Sequence, residues 1–157
     1  MKKITLSRAG RRLNTVEALP LRPIVDEALS IVDARSSRVR VDVRSPLPTV
    51  LGDRGRLIEV FQNLLENAFK YAGNQEAPSV EIGCDGFDEK GHAKIFVRDN
   101  GIGIPPQFHS RIFELFEKLD PLSQGTGVGL ALVRRIVDAH GGSVSVARGT
   151  VATTGVV

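Results

Sequence analysis

The chain has 157 residues, a formal net charge of +3, 41% hydrophobic and 25% charged residues, and a single cysteine. That is enough chain for one globular domain with its own core. It excludes an internal disulfide and a membrane-spanning run of roughly 20 apolar residues. With aromatic content of 5% and so small a charge excess, the chain gives poor footing to a nucleic-acid surface.

Residues 1–12 read as the end of a helix, with Ile4, Leu6 and Ala9 among basic residues. A short strand is expected over residues 13–19. Pro23 suits a first helical turn, and Ile24, Val25, Ala28, Leu29 and Val32 carry helical spacing to about Arg35. Residues 39–43 alternate as a strand. Pro46 and Pro48 mark a loop, and Val50-Leu51 a second short strand. Asp53 is placed to cap a long helix reaching Tyr71, with Leu57, Val60, Phe61, Leu64, Leu65 and Ala68 as its apolar face. Residues 80–84 and 92–99 read as paired strands around a Gly/Asp loop. A helix over residues 128–140 is ended by Gly141-Gly142, followed by a strand at 144–146 and a weaker one at 151–157. Helices mixed with a hairpin of strands predict a helix layer on a largely antiparallel sheet.

Three polar features stand out from this scaffold. The first is V-R-D-N-G-I-G-I-P-P, residues 97–106. Strand alternation puts Asp99 on the face of Ile95 and Val97, which is the core face if those residues are buried. A carboxylate there needs a donor, because burial without one is costly. Asn100 and Gly101 favour a turn, and Gly103 lets backbone approach a ligand.

The second is Q-N-L-L-E-N-A-F-K-Y-A on the long helix. Asn63, Asn67 and Lys70 fall on one stripe. Asparagine is a poor helix-interior residue, and its amide oxygen is a hard ligand of the kind Mg²⁺ accepts. A solvated polar face would carry the same residues.

The third is Q-G-T-G-V-G-L-A-L-V-R-R-I-V, residues 124–137, three alternating glycines running into an amphipathic helix. Backbone N–H groups at such a helix start suit phosphate oxygens. The spacing is neither that of a Walker loop nor that of a dinucleotide fingerprint. Residues 105–124 between these features, with Phe113 and Phe116, have the length and glycine flanks of a lid.

In this order, N-L-L-E-N-A-F-K-Y-A, D-N-G-I-G-I-P, F-E-L-F-E-K-L-D and G-T-G-V-G-L-A-L-V-R-R-I-V-D-A-H-G-G resemble the N, G1, F and G2 boxes of a known domain. It is the catalytic ATP-binding domain of bacterial sensor histidine kinases, within the gyrase, chaperone and histidine-kinase ATPase superfamily. The resemblance implies a two-layer α/β sandwich, the Bergerat ATP-binding fold, with three main helices on a mixed, mostly antiparallel sheet. It implies ATP and Mg²⁺ as ligands. Asp99 resembles the carboxylate that accepts the adenine amino group. Gly101, Gly103 and Ile104 match the segment where backbone meets nucleotide. Asn67 resembles the metal ligand, supported by Asn63. Lys70, Tyr71 and Lys118 match residues beside phosphate and ribose. Gly125, Thr126, Gly127, Val128, Gly129 and Leu130 match the phosphate-wrapping loop. Asn63, Asn67, Lys70 and Lys118 would carry the chemistry.

The hydrolysing relatives place a general-base glutamate where this chain has Asn63, so the resemblance implies phosphoryl transfer to histidine rather than hydrolysis. The family's phosphoacceptor histidine is followed by an acidic residue. His92, His109 and His140 are followed by Ala, Ser and Gly, and none fits. Residues 1–12 resemble the last turns of the upstream dimerisation and phosphoacceptor hairpin, leaving 13–157 as the ATP-binding domain. The expected partners are that hairpin, a response-regulator receiver domain and, through the parent protein, a second copy. No nucleic acid and no direct membrane contact are expected of this domain, which would be cytoplasmic even in a membrane-anchored parent. An anti-sigma-type serine kinase or an ATP-sensing module of the same fold is the alternative. The end of the chain, A-R-G-T-V-A-T-T-G-V-V, departs from the family's Gly-Ser/Thr followed by an aromatic strand, which puts one wall of the adenine pocket in question.

Overall fold

The computed structural model describes residues 15–33, 39–44, 46–70, 77–100, 129–147 and 150–156. Along these residues the elements run β1 (Glu17–Pro20), α1 (Leu21–Asp33), β2 (Arg40–Val43), β3 (Thr49–Gly52), α2 (Arg54–Lys70), β4 (Ser79–Phe87), β5 (Ala93–Asp99), α3 (Gly129–Ala139), β6 (Ser143–Ala147) and β7 (Thr150–Val156). The expected helix end in residues 1–12 and the expected lid at 105–124 lie outside the described residues.

Five strands form one sheet in the order β2-β4-β5-β7-β6, and β1 pairs with β3 in a small second sheet. The β2–β4 pair is parallel and the other pairs are antiparallel, so the sheet is mixed and mostly antiparallel as expected. The strand expected over residues 151–157 is present as β7. The weak candidate strand is a central one: β7 lies between β5 and β6 and is paired along both edges.

The core is where the two layers meet. Val25, Ala28 and Val32 of α1, Leu57, Phe61, Leu64 and Leu65 of α2, and Val133, Ile136 and Val137 of α3 are buried in one cluster with Val80, Ile82, Ile95 and Val97 of the sheet. The helical positions recur at three- and four-residue spacing and the strand positions at two, as each element's geometry requires. Burying them from water is the main favourable term of the fold. All six apolar positions expected on α2 are buried.

Helix α1 begins at Leu21, whose N–H bonds to the Pro48 carbonyl at 3.1 Å, and Pro23 sits in its first turn. The β4–β5 hairpin is closed by Asp88, whose Oδ1 accepts from the N–H groups of Lys90 at 2.8 Å and His92 at 2.9 Å. Gly91 takes φ +83° at this turn, a conformation that favours glycine. These bonds hold Asp88 below the usual carboxylate range, the His92 N–H contributing most, against a smaller desolvation effect.

On the sheet face away from the helices, Glu81 pairs with Arg98 at 2.9 Å and with Arg44. The Arg98 guanidinium sits 4.5 Å from the centre of the Phe96 ring. Phe96 is buried on this outer face because it lies across Gly83, its register partner on β4.

Candidate functional site

Helix α2 starts at an aspartate cap. Asp53 is buried, and its Oδ1 accepts from the Arg56 N–H at 3.2 Å, satisfying one of the donors a helix start leaves open. The polar stripe of this helix begins at Asn63, ten positions beyond Asp53. Asn63 Nδ2 donates to the Glu59 carbonyl at 2.7 Å, which fixes the amide plane and leaves Oδ1 as its acceptor. Asn63 and Asn67 are both half-buried, between the fully buried Leu64 and Ala68 and the exposed side of the helix. Lys70 closes the helix at the next turn.

Strand β5 delivers Asp99. Its neighbours on the same face, Ile95 and Val97, are buried, and its register partner is the buried Val80. Asp99 itself is half-buried, at the point where the sheet ends. The expectation that alternation carries a carboxylate to the core side is met.

Asn100 does more than favour a turn. Its N–H donates to the Ser79 carbonyl at 3.2 Å, and its Oδ1 accepts from the Ser79 N–H at 2.9 Å. Its Nδ2 donates to the Ala77 carbonyl at 3.0 Å. The side chain acts as an additional rung of the β4–β5 ladder, as asparagine can by imitating backbone. The strand end that bears Asp99 is thereby tied to the start of β4. Sequence reasoning did not assign these bonds, although the residue type was the available signal.

Helix α3 begins at Gly129, directly after the glycine run. Leu130 is half-buried and packs against the core, so its side chain is used in packing. Its backbone alone remains for a ligand. The far end of α3 is a Schellman cap: the Gly142 N–H reaches the Val137 carbonyl at 3.0 Å, the Gly141 N–H reaches the Asp138 carbonyl at 2.9 Å, and Gly141 takes φ +81°.

At this cap stands His140, which sequence reasoning considered only as a rejected phosphoacceptor. Its Nδ1 lies 2.7 Å from the Ile136 carbonyl, and its Nε2 accepts from the Asp53 N–H at 3.1 Å. The carbonyl requires a proton on Nδ1 and the N–H requires a bare Nε2, so the ring is neutral. Burial pushes its pKa below the ordinary histidine value, against opposing effects from the Ile136 carbonyl and the Asp53 charge.

Helix α2 packs against both α3 and β5. The fold thus brings the asparagine helix, the strand ending in Asp99 and the helix that follows the glycine run to one layer of contacts. Tyr71, Gly101, Gly103, Ile104, Lys118, Gly125, Thr126, Gly127 and Val128 lie outside the described residues, as does the Lys70 side chain. No helix among the described residues is long and apolar enough to cross a membrane.

Comparison with known proteins agrees with this arrangement. Residues 52–156 match the family of histidine kinase-, DNA gyrase B- and HSP90-like ATPases. The methanogenesis regulatory histidine kinase FilI of Methanothrix harundinacea is 43% identical over 143 residues, covering 90% of this chain and 16% of that protein. The virulence sensor histidine kinase PhoQ of Salmonella typhimurium is 34% identical, covering 88% of this chain and 29% of that protein. The chain therefore spans a minor part of either relative. Among solved structures, the mycobacterial sensor histidine kinase MprB superposes with a TM-score of 0.77 at 29% identity, covering 89% of this chain and 95% of that one. Full-length ShkA in complex with AMPPNP gives 0.71 at 30% identity, covering 92% of this chain and 30% of that one. The chain belongs to the histidine kinase-, DNA gyrase B- and HSP90-like ATPase family, as a catalytic ATP-binding domain of the sensor histidine kinase type.

Proposed function

We propose that this domain binds ATP with Mg²⁺ and presents the γ-phosphate to a histidine on a partner hairpin, as one module of a two-component sensor kinase. The observation that carries the reading is the pair Asn63 and Asn67. They stand half-buried one turn apart, with an amide where the hydrolysing relatives place a carboxylate. An amide cannot take a proton from water, so water is not activated at that position. Glu66 is adjacent to Asn67, but turned about 100° round the helix.

The donor chemistry fits a magnesium ion. Amide oxygens are hard ligands, and Mg²⁺ usually completes its shell with water and phosphate oxygens rather than a protein cage. Asn67 would hold it, supported by Asn63, whose amide orientation is set by the Glu59 carbonyl. When bound, the ion supplies charge neutralisation at the phosphates. The chain's own residues supply positioning and specificity, which is most of what phosphoryl transfer asks of a protein. The Asp99 carboxylate accepts the adenine amino N–H and so selects adenine over guanine. Backbone N–H groups leading into α3 receive phosphate oxygens. Lys70 and Lys118 add positive charge beside them.

The acceptor histidine belongs elsewhere. His140 has both ring nitrogens in use. His92 lies in the β4–β5 turn, its Nδ1 3.4 Å from Asp88. The partners that follow are the hairpin domain, a response-regulator receiver domain and a second copy of the parent protein. The test is phosphotransfer in trans. A matching dimerisation hairpin is supplied with labelled ATP, and label is expected on the hairpin as acid-labile phosphohistidine. Acid-stable label on a serine of a protein substrate would point instead to the serine-kinase use of this fold.

A further inference from the structure

The two nitrogens of His140 join parts of the chain that are 87 residues apart. Through Nδ1 the ring is fixed to its own helix, at the Ile136 carbonyl. Through Nε2 it takes the N–H of Asp53, the residue whose side chain caps α2. The neighbouring backbone is shaped to admit it. A Cβ on Gly52 would stand 3.0 Å from His140 Nε2, 3.1 Å from its Cδ2 and 2.6 Å from Leu57 Cδ1. Glycine at this position is therefore a space requirement of the histidine and of the leucine beside it.

The location gives the contact its consequence. The C-terminal end of α3 meets the N-terminal end of α2, and the two helices pack along each other. The start of α3, where the glycine run ends, accordingly lies toward the later turns of α2, which carry Asn63 and Asn67. Asn67 is fourteen residues beyond Asp53, about 21 Å along the helix axis. Apolar contacts such as those of Val133, Ile136 and Val137 resist separation of the helices but tolerate small slides. A directional hydrogen bond at one end fixes the register.

We propose that His140 is a positioning residue for the nucleotide site: in its neutral, Nδ1-protonated form it sets α3 against α2, and with it the start of α3 against the asparagine pair. The proposal rests on the ATP-binding reading above. His140 touches no nucleotide and acts through Asp53 and the two helices. If its loss lets α3 sample other registers, apparent ATP affinity falls by the fraction of chains that remain competent.

The chemistry also makes the device sensitive to acid. A proton on Nε2 would set two donors face to face and break the bond to Asp53. Among the described residues, Asp53 supplies the charge that acts on the ring. Of the other charges nearby on α2, Arg54 pairs with Glu27 and Arg56 with Glu59, and on α3 Asp138 is exposed while Arg135 is half-buried. Because burial lowers the folded pKa, the unfolded chain binds more protons in the window below the ordinary value of about 6.5. The contribution is complete above that value and is lost as pH falls through the folded pKa.

The experiment is calorimetric titration of ATP with Mg²⁺ between pH 5.5 and 8, on this chain and on His140→Ala and His140→Gln. Long-range ¹⁵N–¹H spectra of the parent chain accompany it and read the tautomer. Glutamine keeps an acceptor for the Asp53 N–H and cannot take the proton. The expected results are a bare Nε2, affinity about three- to tenfold weaker in the alanine variant at pH 7.5, and near-parent affinity in the glutamine variant. The glutamine variant should also show a flatter fall below pH 6.5. Equal affinities and equal pH profiles in all three folded chains, with the parent binding ATP, would overturn the positioning role and leave the ATP-binding reading standing. A proton found on Nε2 at pH 7.5 would overturn it too. A folded parent chain that binds no ATP would defeat both readings at once.

Discussion

Asn100 and Ser79 hold each other by two hydrogen bonds, one from backbone to backbone at 3.2 Å and one from the Ser79 N–H to the Asn100 side chain at 2.9 Å. Asp99 is the residue immediately before this clasp. Replacing Asn100 with alanine removes the side-chain acceptor and the donor to Ala77 while leaving the Asp99 carboxylate in place. The site is exposed to water, so the stability cost should be small, about 0.5–1.5 kcal/mol. ATP affinity should fall further than stability does, because the carboxylate is no longer held. Paired urea denaturation and ATP titration of Asn100→Ala would check this, and an unchanged affinity would count against the clasp.

Asn67→Ala should leave the helix intact, since alanine is the better helix former. It should nevertheless abolish most of the gain in ATP affinity that Mg²⁺ gives the parent chain. Titration with and without the metal is the measurement, and equal metal dependence in the two chains would remove Asn67 from the metal's ligands.

Asn63→Glu asks the opposite question. It places a carboxylate where the hydrolysing relatives carry one, at the expense of the bond to the Glu59 carbonyl. A positioned general base contributes about 10²–10⁴-fold, and one imperfectly placed about tenfold, so ATP hydrolysis should rise by roughly that amount. Phosphate release in the absence of any hairpin would show it.

The sheet supplies a prediction independent of nucleotide. A Cβ on Gly83 would come within 2.7 Å of the Phe96 ring. Gly83→Ala should therefore cost about 1–3 kcal/mol through overpacking. Adding Phe96→Leu should recover part of that loss, as expected for residues in contact. Thermal unfolding of the single and double variants would measure the coupling.

How far the sequence revealed this molecule depends on the range of each signal. The cap at Asp53, the apolar stripe of α2 and the glycine stop of α3 were all legible, because each is a local pattern with a local cause. Strand β7 was legible only weakly. Its small residues, Ala152, Thr153, Thr154 and Gly155, lack the strong alternation of β5, and its strand state comes from neighbours on both sides. The burial of Phe96 needed the register that sets Gly83 opposite it. The contact between His140 and Asp53 crosses 87 residues, a separation on which periodicity and spacing carry no information. At the site, alternation along β5 was enough to bring Asp99 to the core side. The hydrogen bonds that hold its strand end required the structure.

Asp53→Ala should cost about 1 kcal/mol, the usual worth of a lost helix cap. The backbone N–H that His140 uses is retained in this variant, so ATP affinity should change less than in His140→Ala. Denaturation and ATP titration on both variants would separate the cap from the histidine contact.

The central claim is that Asp99 reads adenine, and the most direct test is calorimetric titration of ATP with Mg²⁺ into this chain and into Asp99→Asn. The account predicts that the parent chain binds ATP well ahead of GTP, and that the variant keeps its fold while losing most of its ATP affinity. A folded variant that binds ATP as tightly as the parent chain would contradict it.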